Sequence, residues 1–505
     1  MPSHHLLRSP ISATLAVIAA AGALLAPALV SAPAAHATAS KPDAVISIGD
    51  SIASGEGGRL AGDAYGQGDQ MTTNMQAYAD MSGGNPENIY GASWYYTDSS
   101  GTHDNGCHRS TVSPIHGITG VVDLNIACSG ATTWDVMRGG GSLKGEAPQA
   151  DQLAALAQQY NIKAVVLSIG ANDMGFGGFV TDCFTRFTFG LAACYGVDDT
   201  PFRKLLGTVQ GYVENAINDI RSAMSGAGYA PGAYKLIVED YPAVVPTSAN
   251  LTSDRSDRGC PMYSTDADWV NNRVIPRLQG MVRKAAYDTG AQFLDISQAL
   301  QGHELCNVFA QPVNGAPVDM TYAEWANRLN DSSNDGYKNE SIHPNYYGQK
   351  ALQRCLDLMY NASGDQQCVN MPGYSNADGI RLTPWHDPTP NQPNTLVAGE
   401  TLGTNQCKSS YNNKARLCMQ NDGNLVVYDE NWQPRWQAWT AGTGTSNSAY
   451  MGGDGNFIEF GPSGNDVWDT GTWANPGAYL LCQEDGNVVI YNSAGYALWW
   501  TGTTH

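Results

Sequence analysis

The sequence predicts two folded units: a three-layer α/β/α unit on a parallel sheet, then an all-β unit of three repeats. Two observations carry this. Short, nearly continuous apolar runs alternate with amphipathic helical stretches as far as about residue 365, as in a parallel sheet buried on both faces. Past residue 395, three Asp-Gly turn segments recur 32 and 31 residues apart, the mark of a repeat architecture.

The elements follow in chain order. Residues 1–37 read as a secretory signal: Arg8, the apolar stretch LAVIAAAGALLAPALV, then a small-x-small site at Ala35–Ala37. Pro27 and that site argue against a transmembrane anchor, and no other segment is apolar and long enough to span a bilayer. The chain is therefore expected to be secreted and extracellular. The α/β unit is placed at 38–370, with strand runs at 44–48, 121–127, 163–170, 234–241 and 291–297 and helices at 149–160 and 202–224. A Pro/Asn-rich linker is expected at 371–394 and the all-β unit at 395–505. With 47 Asp+Glu against 27 Lys+Arg, the 505-residue chain has a net charge of -20, which leaves no basic footprint for nucleic acid.

A secreted chain should hold its 11 cysteines mostly as disulfides. Neighbours along the chain suggest Cys107–Cys128, Cys183–Cys194, Cys260–Cys306, Cys355–Cys368 and Cys407–Cys418, leaving Cys482 unpaired. No CxxC spacing occurs, so neither a metal site nor another cofactor is expected.

In parallel sheets the chemistry sits at the carboxyl ends of the strands. Four polar loops are expected there, holding Ser51, Gly130, Asn172 and His343. Each alone reads as ordinary turn or cap chemistry. Together they supply a nucleophile, oxyanion donors and a base along one sheet edge. The stretches GDS at 49–51, Gly130 in ACSGATT, GAND at 170–173 and ESIH at 340–343 resemble, in order, the blocks of the SGNH (GDSL) hydrolase superfamily. GCHRS, ACSGATT and GHELC (302–306) further resemble its secreted actinobacterial members.

The resemblance implies that Ser51 attacks an ester carbonyl while His343 takes its proton. The Ser51 and Gly130 N–H groups and the Asn172 amide would receive the oxyanion. The family usually has Asp three residues before the histidine. Glu340 stands there, so it is expected to orient His343, with a backbone carbonyl as the alternative.

In the repeats, Trp436, Trp468 and Trp499 fall at one offset and are expected to form a shared core rather than stack on sugars. Gln420, Asp422, Asn424, Val426 and Tyr428 would share one strand face, as would Gln483, Asp485, Asn487, Val489 and Tyr491. This Q-x-D-x-N-x-V-x-Y pattern resembles the mannose-binding motif of bulb-type (monocot mannose-binding) lectins, which implies a β-prism. The middle unit keeps Asp454 and Asn456 but has Gly452 for Gln and Phe460 for Tyr, so its site is expected to be weak or dead.

The whole reads as a secreted serine esterase, with no cofactor, held by its lectin unit on mannose-containing glycan. The leading substrate is an O-acylated, notably O-acetylated, polysaccharide. The alternatives are a lipase or phospholipase with a glycan-targeting lectin, or an adhesin or toxin whose hydrolase matters little.

Overall fold

The structure is a computed structural model. It describes residues 40–505 apart from 59–75, 78–94, 99–100, 105, 111, 195–199, 253–261, 314–317, 329–339, 372–378, 385–391 and 494–495. The expected signal segment and Cys260 lie outside the described residues.

A seven-stranded sheet organises the first unit. In chain order its strands are β1 (Asp43–Gly49), β2 (Val122–Asn125), β3 (Asn161–Ser168), β4 (Lys235–Glu239), β5 (Gln292–Gln298), β6 (Gln366–Asn370) and β7 (Ile380–Pro384). Their spatial order is β7-β6-β5-β4-β3-β1-β2. The first six run parallel, and only β7 is antiparallel, to β6. The five expected strand runs all lie in this sheet.

Alternation along β1 shows why both faces are covered. Ala44, Ile46 and Ile48 enter a core with Leu153 of α3 (Gln149–Gln159), Val213 of α5 (Thr200–Gly226) and Val282 of α7 (Ile275–Thr289). Val45 enters the opposite core with Leu352 and Leu356 of α8 (Tyr346–Asn361). The segment read as a linker needs correction, because Ile380–Pro384 within it is the edge strand β7. Its Ile380 is buried in the α8-side core. Pro, Asn and Asp on either side obscured a five-residue strand too short to show a period of its own.

The disulfides Cys107–Cys128, Cys183–Cys194, Cys355–Cys368 and Cys407–Cys418 are formed. Cys306 is also disulfide-bonded. Cys482 is free and buried. Spacings of 32 and 31 put Cys482 where Met419 and Met451 stand in the other repeats, and all three side chains belong to one core. Cys482 therefore serves as an apolar filler, and burial pushes its thiol up to about 12.

From Thr395 onward lie three four-stranded sheets. Each joins a short strand from 395–409 to three strands of one repeat. A repeat of this size cannot bury its own apolar face, so the three share a core. Trp436, Trp468 and Trp499 meet there edge to face, with ring centroids 5.4, 5.5 and 5.7 Å apart.

The middle repeat packs against the first unit. A Cβ on Gly453 would lie 1.7 Å from the Pro276 carbonyl oxygen, so only glycine lets α7 come this close. Arg277 Nη2 contacts Asp454 Oδ2 at 3.0 Å, with both side chains essentially inaccessible. Removing one partner of such a pair strands the other charge without solvent. Arg277→Ala should therefore lower stability by about 3–5 kcal/mol, read as a lower urea midpoint. Adding Asp454→Ala should recover much of the loss. An unchanged midpoint in the single variant would refute the buried pair.

Candidate active site

The site is built where β1 and β3 end. A Cβ on Gly49 would lie 2.0 Å from the Ser168 carbonyl oxygen, so the strands meet at their carboxyl ends as closely as two backbones can. The Asp50 N–H donates to that same carbonyl, 3.0 Å. Asp50 then caps a one-turn helix, α1 (Ser51–Ser54), by accepting from the Ile52 N–H at 3.1 Å. Ser51 is thereby presented on the first turn.

His343 arrives from a loop 292 residues away and places Nε2 2.7 Å from Ser51 Oγ. Its Nδ1 lies 3.1 Å from the Ser341 carbonyl oxygen. A carbonyl only accepts, so Nδ1 carries the proton and Nε2 is left to accept from the serine hydroxyl. Between them Ile342 has φ 61°, an unfavourable conformation for a β-branched residue. That bend turns the Ser341 carbonyl back under the ring. The expected orienting role of Glu340 is corrected accordingly: Glu340 is buried, and the hydrogen bond at Nδ1 goes to Ser341. Sequence spacing counts residues and cannot show which way a kinked loop aims its carbonyls.

Ser51, Asn172 and His343 line one cavity, whose walls are largely apolar: Ile52, Phe176, Val180, Phe184, Val245 and Met262 are among them. Gly130 is not in this wall, but its loop is tied to the cavity. Asn172 Nδ2 donates to the Ala131 carbonyl at 2.9 Å. Asp173 accepts from the Thr133 N–H and hydroxyl at 3.0 and 2.6 Å.

Sequence reasoning missed Tyr241. Its hydroxyl donates to Asp50 Oδ2 at 2.7 Å and accepts from the Ala171 N–H at 3.0 Å, so it joins the serine and asparagine loops. Its one sequence signal is its place just past a strand end, in IVEDY. Burial pushes the Asp50 carboxyl up to about 7, although the Tyr241 and Ile52 hydrogen bonds oppose that rise.

In the β unit, Leu425 and Val427 enter the core, leaving Val426 and Tyr428 on the other face. Val488 and Ile490 likewise leave Val489 and Tyr491 on the other face, where Val489 is itself buried and Tyr491 half-buried. Gln420 Nε2 donates to the Tyr428 hydroxyl, and Gln483 Nε2 donates to that of Tyr491 at 2.7 Å. Asp422 and Asp485 are exposed. Asn424 and Asn487 also serve the fold: their Oδ1 atoms accept from the Thr440 and Thr503 N–H groups at 3.1 and 3.2 Å. Asn456 does the same with Thr472 at 3.0 Å. Asp454, by contrast with Asp422 and Asp485, is fully buried beneath α7. The middle row is thus closed by the first unit as well as degenerate.

With the Ser341 carbonyl at Nδ1, Glu340→Gln should keep kcat within about tenfold per folded molecule, whereas loss of a triad carboxylate costs about 10⁴. Initial rates normalised to active-site titration would decide, and a loss near that larger figure would reinstate Glu340.

The chain is similar to known proteins in two ways. The model of the GDSL-like Lipase/Acylhydrolase family matches residues 115–351, which hold Gly130, Asn172 and His343. Lipase 2 of Streptomyces coelicolor is 26% identical over 264 residues, 50% of this chain and 77% of the lipase. An esterase of Streptomyces scabiei is 27% identical over 247 residues, 43% of this chain and 69% of the esterase. A mannose-specific lectin of Aloe arborescens is 36% identical over 112 residues, 22% of this chain and 97% of the lectin. The chain is a carboxylic ester hydrolase whose residues 115–351 match the GDSL-like lipase/acylhydrolase family, and it belongs to the family of bulb-type mannose-binding lectins.

Proposed function

We propose that the enzyme hydrolyses esters of apolar acyl groups with Ser51 as nucleophile and His343 as base. The observation that carries this is the 2.7 Å contact between Ser51 Oγ and His343 Nε2 at an apolar cavity. Ser51 Oγ attacks the ester carbon as its proton passes to Nε2. The imidazolium keeps Nδ1–H on the Ser341 carbonyl, and the oxyanion is received by the Ser51 and Gly130 N–H groups and the Asn172 amide. Collapse returns the proton to the leaving alcohol. Water then repeats the sequence on the acyl-serine.

An acetyl group would leave most of the apolar wall unfilled. The substrate is therefore a longer acyl ester, in the manner of a lipase, rather than an O-acetylated polysaccharide. The lectin region is assigned to residues 395–505, where the Gln420–Tyr428 and Gln483–Tyr491 rows lie and whose length suits the 112-residue match. These rows bind mannose-containing glycan and hold the enzyme near its ester. Secretion is proposed from the signal segment, and the disulfides suit an oxidising compartment.

A fluorophosphonate should label Ser51, and Ser51→Ala should lose both labelling and activity. Across p-nitrophenyl esters from acetate to palmitate, kcat/KM should climb by up to about fourfold per added methylene until the cavity fills, since each buried CH2 is worth about 0.8 kcal/mol. A profile that peaks at acetate would sink the long-acyl reading. Full activity in Ser51→Ala would sink the nucleophile.

On a mannan column the protein should be retained. Each shallow site should bind monosaccharide with Kd near 1 mM, about −4 kcal/mol, and two sites together should give avidity. Tyr428→Phe with Tyr491→Phe spares the asparagine turn ties and should abolish retention, either one alone only weakening it. Calorimetry should find two sugars per chain. Retention unchanged in the double variant would remove these rows as the site.

A further inference from the structure

The loop behind the nucleophile holds a buried carboxylate that the reaction above does not use. Glu56 follows the turn that ends α1, donates its N–H to the Ser51 carbonyl at 3.0 Å, and is 1% exposed. Its Oε1 contacts His108 Nδ1 at 2.8 Å. Its Oε2 accepts from the hydroxyl of Ser129, the residue before Gly130. The Ser129 N–H in turn donates to the Cys107 carbonyl at 3.0 Å, beside the Cys107–Cys128 bridge. One carboxylate thus grips the serine turn, the GCHRS segment and the glycine loop.

Glu56 also lies near the base. A Cβ on the next residue, Gly57, would stand 3.2 Å from His343 Cβ. Burial alone would raise the Glu56 carboxyl. The hydrogen bond from His108, the positive charge that His343 and His108 carry when protonated and the Ser129 hydroxyl together hold it below the ordinary glutamate value. A buried ionised carboxylate is unfavourable unless its partners compensate it. His343, meanwhile, has a carbonyl rather than a carboxylate at Nδ1.

We propose that Glu56 is a positioning residue for ester hydrolysis: it locks the loop of Gly130 to the turn of Ser51 and supplies the buried negative charge that offsets the imidazolium formed at His343. The proton still passes only from Ser51 Oγ to His343 Nε2, and Glu56 remains ionised throughout. The inference rests on Ser51 being the nucleophile.

Two variants separate its parts. Glu56→Gln keeps the shape and removes the charge. Ser129→Ala removes the link to the glycine loop. On a p-nitrophenyl ester of the preferred chain length, each should lower kcat by about 10–100-fold, the scale of a misplacement near 1 Å. KM should stay within about twofold, because neither residue lines the acyl cavity. Near-UV circular dichroism and melting temperature should report a folded protein. The double variant should carry both losses, since the two substitutions remove different parts of the lock.

Wild-type kcat in both folded variants overturns the inference. Losses that merely track the amount of folded protein in both also overturn it. If a fluorophosphonate fails to label Ser51 in the wild type while hydrolysis persists, the nucleophile assignment falls and takes this inference with it. Labelled Ser51 with unchanged kcat in both variants overturns this inference alone.

Discussion

The Ser168 carbonyl oxygen occupies the space a side chain on Gly49 would need. That contact brings the carboxyl ends of β1 and β3 together and sets where their loops leave the sheet. Gln149 secures the same point, accepting from the Gly49 N–H at 2.6 Å and donating to the Gly49 carbonyl at 2.8 Å. Ser51 and Asn172 come from chain segments more than a hundred residues apart, and they share a cavity because these two strands are neighbours. Tyr241 repeats the logic from β4 by bridging both loops with one hydroxyl. A parallel sheet thus gathers polar residues at one edge while its apolar interior needs none of them.

That edge also gathers buried acidic groups. Asp50 and Glu239 are both fully buried there, and burial together with repulsion from Asp50 raises the Glu239 carboxyl to about 8. Glu56 behaves oppositely because donors surround it. Carboxylates at similar depth therefore carry different charge, and hydrogen-bond partners rather than burial decide which of them can act on a neighbouring imidazole.

The β unit shows how repetition and divergence coexist. All three repeats keep the tryptophan and the asparagine turn tie, because a core shared by three units needs each of them. Outward residues are released from that constraint. In the middle repeat they have become a surface for α7, with glycine where a side chain would collide and Asp454 where Arg277 needs a counter-ion. A row that faces protein instead of solvent no longer offers its carboxylate to a ligand.

Much of this was legible from neighbouring residues alone. The apolar runs around Val45 and Val165 meant buried strands, the alternation in 149–160 meant an amphipathic helix, and the spacing of Trp436, Trp468 and Trp499 meant a common core. Ser51 and His343 could be picked out because their loops follow or precede recognisable elements. What stayed hidden depended on atoms distant in sequence or on the aim of a single peptide plane. The edge strand Ile380–Pro384 exists because β6 offers it a ladder. Ser341 rather than Glu340 meets Nδ1 because Ile342 bends the loop. Arg277 finds Asp454 across 177 residues, and Glu56 finds Ser129 across 73. Periodicity and spacing are local, so the sequence by itself determined the elements, the shared tryptophan core and the kinds of residue at the sheet edge. Hydrogen bonds and ion pairs between remote segments depend on directions fixed only when those elements pack, so only the tertiary structure decided which groups meet.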